Sequence, residues 1–120
     1  MNKQWVKALA WGAGAVWALS RMKRRYNLTG KVVAISGGSR GLGLDLAQAF
    51  AARGARVAIC GRDPQTLRRA ELLLAQRGIT VLATPCDVTD PVRLKGWLDE
   101  VETRMGAVDV LVNNAGVISV

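Results

Sequence analysis

The feature that most constrains the fold is an alternation of short, β-branched apolar runs with segments of helical apolar spacing. The predicted strands are residues 31–36, 56–60, 79–85 and 108–112, and the predicted helices are residues 42–53, 64–77 and 91–105. The connections are short, so successive strands should lie parallel in one sheet, with helices on both of its faces. The alternation therefore predicts an α/β fold with a doubly wound parallel sheet of about four strands.

Two of the predicted helices begin with the same dipeptide. Asp63-Pro64 and Asp90-Pro91 each place an aspartate before a proline. Aspartate is a favoured N-cap, and proline is tolerated at the first helical position because its missing N–H has no partner there. Both aspartates are therefore expected to cap helices.

The composition excludes several catalytic mechanisms and kinds of metal or disulfide site. A length of 120 residues allows one folded domain. Histidine is absent, which excludes mechanisms that need a histidine base or ligand. The two cysteines, Cys60 and Cys86, are too few for a four-ligand zinc site or a disulfide framework. We expect reduced thiols with a packing role.

The first 26 residues differ from the rest. Residues 8–19 are uncharged and almost wholly apolar, and six basic residues but no acid occur within residues 1–25. We expect residues 1–26 to form a hydrophobic helix that anchors the domain, spanning or lying on a membrane, on its cytoplasmic side. A helix packed on its own domain or on a subunit partner is the alternative, with a signal peptide as a lesser one.

The remainder of the chain, residues 27–120, forms the predicted folded domain. Residues 26–120 hold 11 basic and nine acidic residues, so the strongly basic character belongs to the leader. A nucleic-acid-binding domain normally carries its basic patch on the folded body. We therefore expect no nucleic-acid partner.

A glycine-rich segment joins the first strand to the first helix. Residues 36–43 read Ser-Gly-Gly-Ser-Arg-Gly-Leu-Gly. Gly37 allows a tight turn, Gly41 lets a pyrophosphate approach the backbone, and Gly43 lets the helix pack closely on the strand. The helix N-terminus offers free N–H groups and a positive dipole end to phosphates. The strand–turn–helix context favours a dinucleotide site over a ligand-free turn, and no Gly-Lys-Ser/Thr follows that would indicate a P-loop.

The glycines are spaced Gly-x-x-x-Gly-x-Gly, Asp87-Val88 follows strand three, and Asn113-Asn114-Ala115-Gly116 follows strand four. Together these motifs resemble the short-chain dehydrogenase/reductase family, over residues 30–120. The resemblance implies a Rossmann-type sheet, with Asp87 at the adenine and the Asn-Asn-Ala-Gly segment steadying the sheet and lining the site. Ser36 stands where the family usually has threonine. The residues assigned to cofactor binding are Gly37, Ser39, Arg40, Gly41, Leu42, Gly43, Arg62, Asp87, Val88, Asn114, Ala115 and Gly116. For Asp87, a turn residue bonded to its own backbone is the alternative.

Charge at the end of strand two indicates which cofactor binds. Gly61 occupies the position where NAD-type members of the family carry aspartate, and Arg62 follows it. Arg62 and Arg40 suit a ribose 2′-phosphate, which favours NADP(H) over NAD(H). Asp63 is the rival ribose ligand, but its place before Pro64 fits an N-cap better. Solvated surface arginines are the remaining alternative.

The family's active Ser, its Tyr-x-x-x-Lys pair and a further Asn lie downstream of the positions matched here, so no catalytic residue and no metal ligand is assigned. We expect an N-terminal fragment of a longer NADP(H)-dependent oxidoreductase that moves hydride to or from a small carbonyl or alcohol, with apolar compounds among the candidate substrates. The fragment alone is expected to be inactive, and the full-length protein a homo-oligomer. The alternative is a non-catalytic nucleotide-binding or regulatory protein. A methyltransferase or sugar-nucleotide epimerase fits the motifs less well.

Overall fold

The computed structural model describes residues 27–37, 39 and 41–113. In chain order the elements are β1 (Val32–Ser36), α1 (Gly41–Ala52), β2 (Arg56–Gly61), α2 (Pro64–Gln76), β3 (Val81–Pro85), α3 (Pro91–Met105) and β4 (Val110–Asn113). Each expected strand and helix is present, with ends that differ from the prediction by at most two residues. The predicted hydrophobic helix of residues 1–26 lies outside the described residues.

The four strands form one parallel sheet in the order β3-β2-β1-β4. The chain therefore moves outward from β1 to β3, then returns to place β4 on the other side of β1. The last residue of β1, Ser36, is in register with Cys60 of β2 and with Asn113 of β4. Carboxyl ends of adjacent strands thus meet at one edge of the sheet, where open α/β sheets bind ligands.

Helices cover both faces of the sheet, as predicted. All five residues of β1 are buried, because a strand in the middle of such a sheet is covered on both sides. Val33 and Ile35 point to the face covered by α1 and α2, in a cluster with Phe50. Val32 belongs to the opposite cluster, in which α3 contributes Trp97 and Val101. Two apolar layers therefore hold the sheet between its helices.

Side-chain caps fix the starts of α2 and α3. Asp63 Oδ1 accepts a hydrogen bond from the backbone N–H of Gln65 at 3.1 Å, and Asp90 Oδ1 accepts one from Val92 at 2.9 Å. In both helices the proline follows the cap directly. The two predicted caps are confirmed, and they fix the residue at which each helix begins after its loop.

The two cysteines are free thiols. Burial raises the pKa of Cys60 from 9.0 to about 12, with a further contribution from the neighbouring Cys86 thiol. Cys60 is fully buried within the cluster beneath α3. It therefore stays protonated at neutral pH and packs as a small apolar side chain.

Neither a membrane span nor a metal cluster occurs in the described residues. Within them, no helix combines the length and apolarity needed to cross a bilayer. Nor does this part of the chain bring three or more Cys, Asp or Glu side chains together as metal ligands.

Candidate functional site

A cleft of about 470 Å³ opens at the carboxyl ends of β1, β2 and β3. Its walls come from the loops that follow these three strands. The lining residues are Gly37, Ser39, Gly61, Arg62, Asp63, Thr66, Cys86, Asp87, Val88 and Thr89. The cleft is therefore polar, with both arginine and aspartate in its walls.

The glycine-rich loop turns sharply at the end of β1. Gly37 has φ of +74°, a conformation that favours glycine, and its N–H donates to the carbonyl oxygen of Cys60 at 2.9 Å. The tight turn predicted at Gly37 is thereby found. The helix α1 begins at Gly41 and buries Gly43, as expected for a helix that packs closely on the sheet. Its N-terminal N–H groups and dipole favour an anion at this edge.

The end of β2 approaches the glycine-rich loop closely at Gly61. A Cβ built on Gly61 would lie 2.9 Å from Ser39 Oγ and 3.4 Å from Ser39 Cβ. The first distance is shorter than real Cβ contacts, so any larger residue would require the Ser39 side chain to shift. Glycine at this position therefore leaves the cleft open between the two loops.

Asp63 lines the cleft while it caps α2. Its Oδ1 accepts from the Gln65 N–H, and its Oδ2 accepts from the hydroxyl of Thr66 at 2.6 Å. Both carboxylate oxygens are thus engaged by the first turn of the helix. This geometry favours the capping role over that of a ribose ligand.

Asp87 follows β3 and forms a tight local turn. Its Oδ1 accepts from the backbone N–H of Thr89 at 3.1 Å and from the Thr89 hydroxyl at 2.6 Å. These hydrogen bonds lower the pKa of Asp87, the positive charges of Arg62 and Arg93 lower it further, and desolvation opposes them. Asp87 therefore bonds to its own turn, as the alternative predicted, and it also lines the cleft, while its contact with adenine stays a prediction.

A buried polar pair lies where β1 and β4 end. The Ser36 hydroxyl donates to Asn113 Oδ1 at 3.0 Å, and both residues are almost fully buried. The hydroxyl that Ser36 shares with threonine is the group that makes this bond. Asn113, the first residue of the Asn-Asn-Ala-Gly segment, thus links the two strands, which agrees with the sheet-steadying role expected of that segment.

The structure brings only some of the predicted cofactor-binding residues together at the cleft. Five line it, namely Gly37, Ser39, Arg62, Asp87 and Val88. Three others, Gly41, Leu42 and Gly43, form the start of α1 and are absent from its described walls. Arg40, Asn114, Ala115 and Gly116 lie outside the described residues.

Sequence reasoning missed three lining residues, Thr66, Cys86 and Thr89, and did not assign Gly61 to the site. A signal was present for the threonines. Each follows an aspartate by two or three positions, the spacing at which a side-chain carboxylate bonds to a nearby hydroxyl or N–H. Cys86 had no such signal, and it lies here because its N–H pairs with the Gly61 carbonyl at 2.9 Å.

Known proteins are similar to this chain in both sequence and fold. A 2-keto-3-deoxy-D-gluconate dehydrogenase from Streptococcus agalactiae superposes with a TM-score of 0.73 at 33% identity, over 83% of this chain and 38% of that one. L-Sorbose reductase from Gluconobacter frateurii, solved with NADPH and L-sorbose, gives a TM-score of 0.70 at 36% identity, over 78% of this chain and 36% of that one. Dehydrogenase/reductase SDR family member 7B of Danio rerio is 41% identical over 105 residues, which cover 82% of this chain and 34% of that protein.

The chain spans between about a third and about a half of the length of the curated relatives it matches. The sequence model of the short chain dehydrogenase family matches residues 31–120, three quarters of the chain. The motifs, the strand order and these matches agree, and the chain belongs to the short-chain dehydrogenase family of oxidoreductases.

Proposed function

We propose that this chain is the cofactor-binding part of a longer oxidoreductase that uses NADP(H) to move hydride to or from a small carbonyl or alcohol. The family uses NAD(P)H, and the cleft at the strand ends is the observation that carries the proposal. Bound there, the cofactor would supply the hydride, while the chain binds and orients it. The similar proteins named above are oxidoreductases, which disfavours a non-catalytic regulatory role.

The cleft suits a dinucleotide phosphate. The start of α1 provides a positive dipole end beside the glycine-rich loop, and Gly61 leaves space that a Cβ would fill. Arg62 offers a guanidinium, and Asp87 offers a carboxylate acceptor. We assign the pyrophosphate to the glycine-rich loop and the start of α1, and the adenosine part to Arg62 and Asp87.

The residues at the end of β2 support the proposed preference for NADP(H). A 2′-phosphate needs a positive partner and no carboxylate directly at the strand end. Arg62 supplies the charge, and Gly61 removes the carboxylate that NAD-type members have there. Asp63 is held by α2. NADPH in the L-sorbose reductase structure supports the same choice.

An Arg40→Ala/Arg62→Ala double variant is expected to bind NADPH about 10- to 100-fold more weakly, since charge-assisted hydrogen bonds contribute about 1.5–3 kcal/mol. Its affinity for NADH should change less than about twofold on the same basis. Titration calorimetry with both cofactors measures the difference. Arg68→Ala is the matched control, because Arg68 lies on α2, pairs with Glu71 and is absent from the cleft's lining. Equal binding of NADPH and NADH by wild type would contradict the phosphate assignment.

The catalytic residues and the substrate pocket are proposed to lie outside this chain, which on its own should bind cofactor without turning it over. The partial match to the relatives' length supports this division. We place the substrate among small carbonyl or alcohol compounds, with an apolar one favoured by the hydrophobic leader. The full-length protein is proposed to be a homo-oligomer.

We also propose that residues 1–26 hold the domain at the cytoplasmic side of a membrane, on the strength of their apolar run and flanking basic residues. A fusion of residues 1–26 to a soluble reporter is expected to sediment with membranes after centrifugation. Replacing Trp11 and Trp17 with glutamate should release it, because charge in the apolar run opposes burial in lipid. A wild-type fusion that stays in the supernatant would contradict the anchor.

A further inference from the structure

The family resemblance already implies that Asp87 contacts the cofactor's adenine; we infer that Thr89 is a positioning residue, which holds the Asp87 carboxylate so that its second oxygen is presented to the exocyclic amine of that adenine. The inference rests on the proposed function, and it extends that function to a residue with no assigned role. Two threonine–aspartate pairs lie in the cleft, and in each the threonine hydroxyl donates to the carboxylate at 2.6 Å. The pairs differ in how the second carboxylate oxygen is used.

Two hydrogen bonds tie Thr89 to a single oxygen of Asp87. The hydroxyl and the backbone N–H of Thr89 both donate to Oδ1, at 2.6 Å and 3.1 Å. In the part of the chain that the structure describes, no hydrogen bond reaches Oδ2. Fixing one oxygen restricts rotation of the carboxylate and leaves the other available as an acceptor.

The second pair in the cleft shows the opposite outcome. The Thr66 hydroxyl also donates to an aspartate at 2.6 Å, but Asp63 uses its other oxygen to cap α2. Both Asp63 oxygens therefore serve the helix. Of the two aspartates that line the cleft, Asp87 is the one whose local bonds leave an oxygen for a ligand.

Ionisation determines which group this oxygen recognises. The Thr89 hydrogen bonds lower the pKa of Asp87, and Arg62 and Arg93 act in the same direction. An ionised carboxylate only accepts hydrogen bonds. Among the edges of a purine, it favours the amine of adenine, which donates, and disfavours the carbonyl of hypoxanthine, which accepts. Thr89 thus helps to select an adenine cofactor over its deaminated form.

The test compares the affinities of NADP⁺ and deamino-NADP⁺, in which hypoxanthine replaces adenine, for variants of the full chain. Wild type is expected to bind NADP⁺ about tenfold more tightly, as a charge-assisted hydrogen bond predicts. Thr89→Val keeps the side-chain shape and loses the hydroxyl, so this ratio should fall to about threefold or less on the same scale. Thr89→Ser retains the hydroxyl and should keep the wild-type ratio.

Thr66→Val is the matched control, since it removes a threonine–aspartate bond of equal length from the same cleft. Whatever its effect on the affinity for each dinucleotide, the ratio of the two affinities should stay at the wild-type value. A Thr89→Val ratio equal to that of wild type would overturn the positioning role, as would a wild type that binds both compounds equally. A wild type that binds neither compound would instead overturn the proposed function itself.

Discussion

A Gly61→Asp variant is expected to bind NADP⁺ at least about 100-fold more weakly than wild type without gaining affinity for NAD⁺. Two unit charges about 4 Å apart repel by about 4 kcal/mol at an effective dielectric constant of about 20, so a carboxylate here would oppose a 2′-phosphate. The same substitution would bring its Cβ to within 2.9 Å of Ser39 Oγ, so the Ser39 side chain of the glycine-rich loop would have to shift. The loop serves both dinucleotides, so NAD⁺ should not benefit. Titration calorimetry with both cofactors measures the two affinities.

Two further variants separate charge from crowding. Gly61→Ala adds the Cβ alone and should weaken NADP⁺ and NAD⁺ by similar factors. In a Gly61→Asp/Ser39→Ala double variant the 2.9 Å contact disappears and the 3.4 Å contact to Cβ remains. That double variant should regain part of the NAD⁺ affinity while it still rejects NADP⁺. Strong NAD⁺ binding by Gly61→Asp alone would show that the contact with Ser39 is relieved at little cost.

The largest effect on stability is expected from Trp97→Ala. Trp97 is 2% exposed and belongs to the apolar cluster between α3 and the sheet, with Val101 and Val32 among the other members. Removing a buried aromatic side chain costs about 3–5 kcal/mol through lost contacts and the cavity left behind. Urea denaturation followed by far-UV circular dichroism gives the change in the free energy of unfolding.

Trp97→Phe provides the comparison for that measurement. The indole Nε1 of Trp97 is buried and has no hydrogen-bond partner in the described part of the chain. Phenylalanine keeps most of the apolar contact and removes this unpaired donor, whose burial costs about 1–3 kcal/mol. We expect Trp97→Phe to lie within about 1.5 kcal/mol of wild type, because removal of the unpaired donor offsets much of the cost of the smaller side chain. If Trp97→Phe lowered the free energy of unfolding as much as Trp97→Ala does, the unpaired indole N–H would not be destabilising the fold.

The order and type of every described element could be predicted from the sequence, because strand and helix periods differ and the Asp-Pro dipeptides mark two helix starts. Strand ends were less accurate. Residues 79 and 80 are apolar or β-branched, yet β3 begins at Val81 because Ile79 bonds back to the end of α2 through Leu74. Local composition does not reveal such a bond.

The candidate site was predictable where a single residue type carries the chemistry. Gly37 and Arg62 were assigned from residue type, because a tight turn favours glycine and a phosphate suits arginine, whereas Asp87 was assigned through the family resemblance; the structure places all three in the wall of the cleft. Cys86 was missed, since its place in the cleft depends on pairing between β2 and β3. Strand order decides such neighbours, and no pattern within one segment reports it.

The pairing of β1 with β4 has a consequence for synthesis of the chain. The two bonded partners Ser36 and Asn113 are 77 residues apart in sequence, whereas β2 follows β1 closely. At about 5–20 residues per second, translation needs about 4–15 s to produce β4 after β1 has appeared. Throughout that interval one edge of the most apolar strand lacks its neighbour, so the nascent chain is most prone to aggregation before residue 113 emerges.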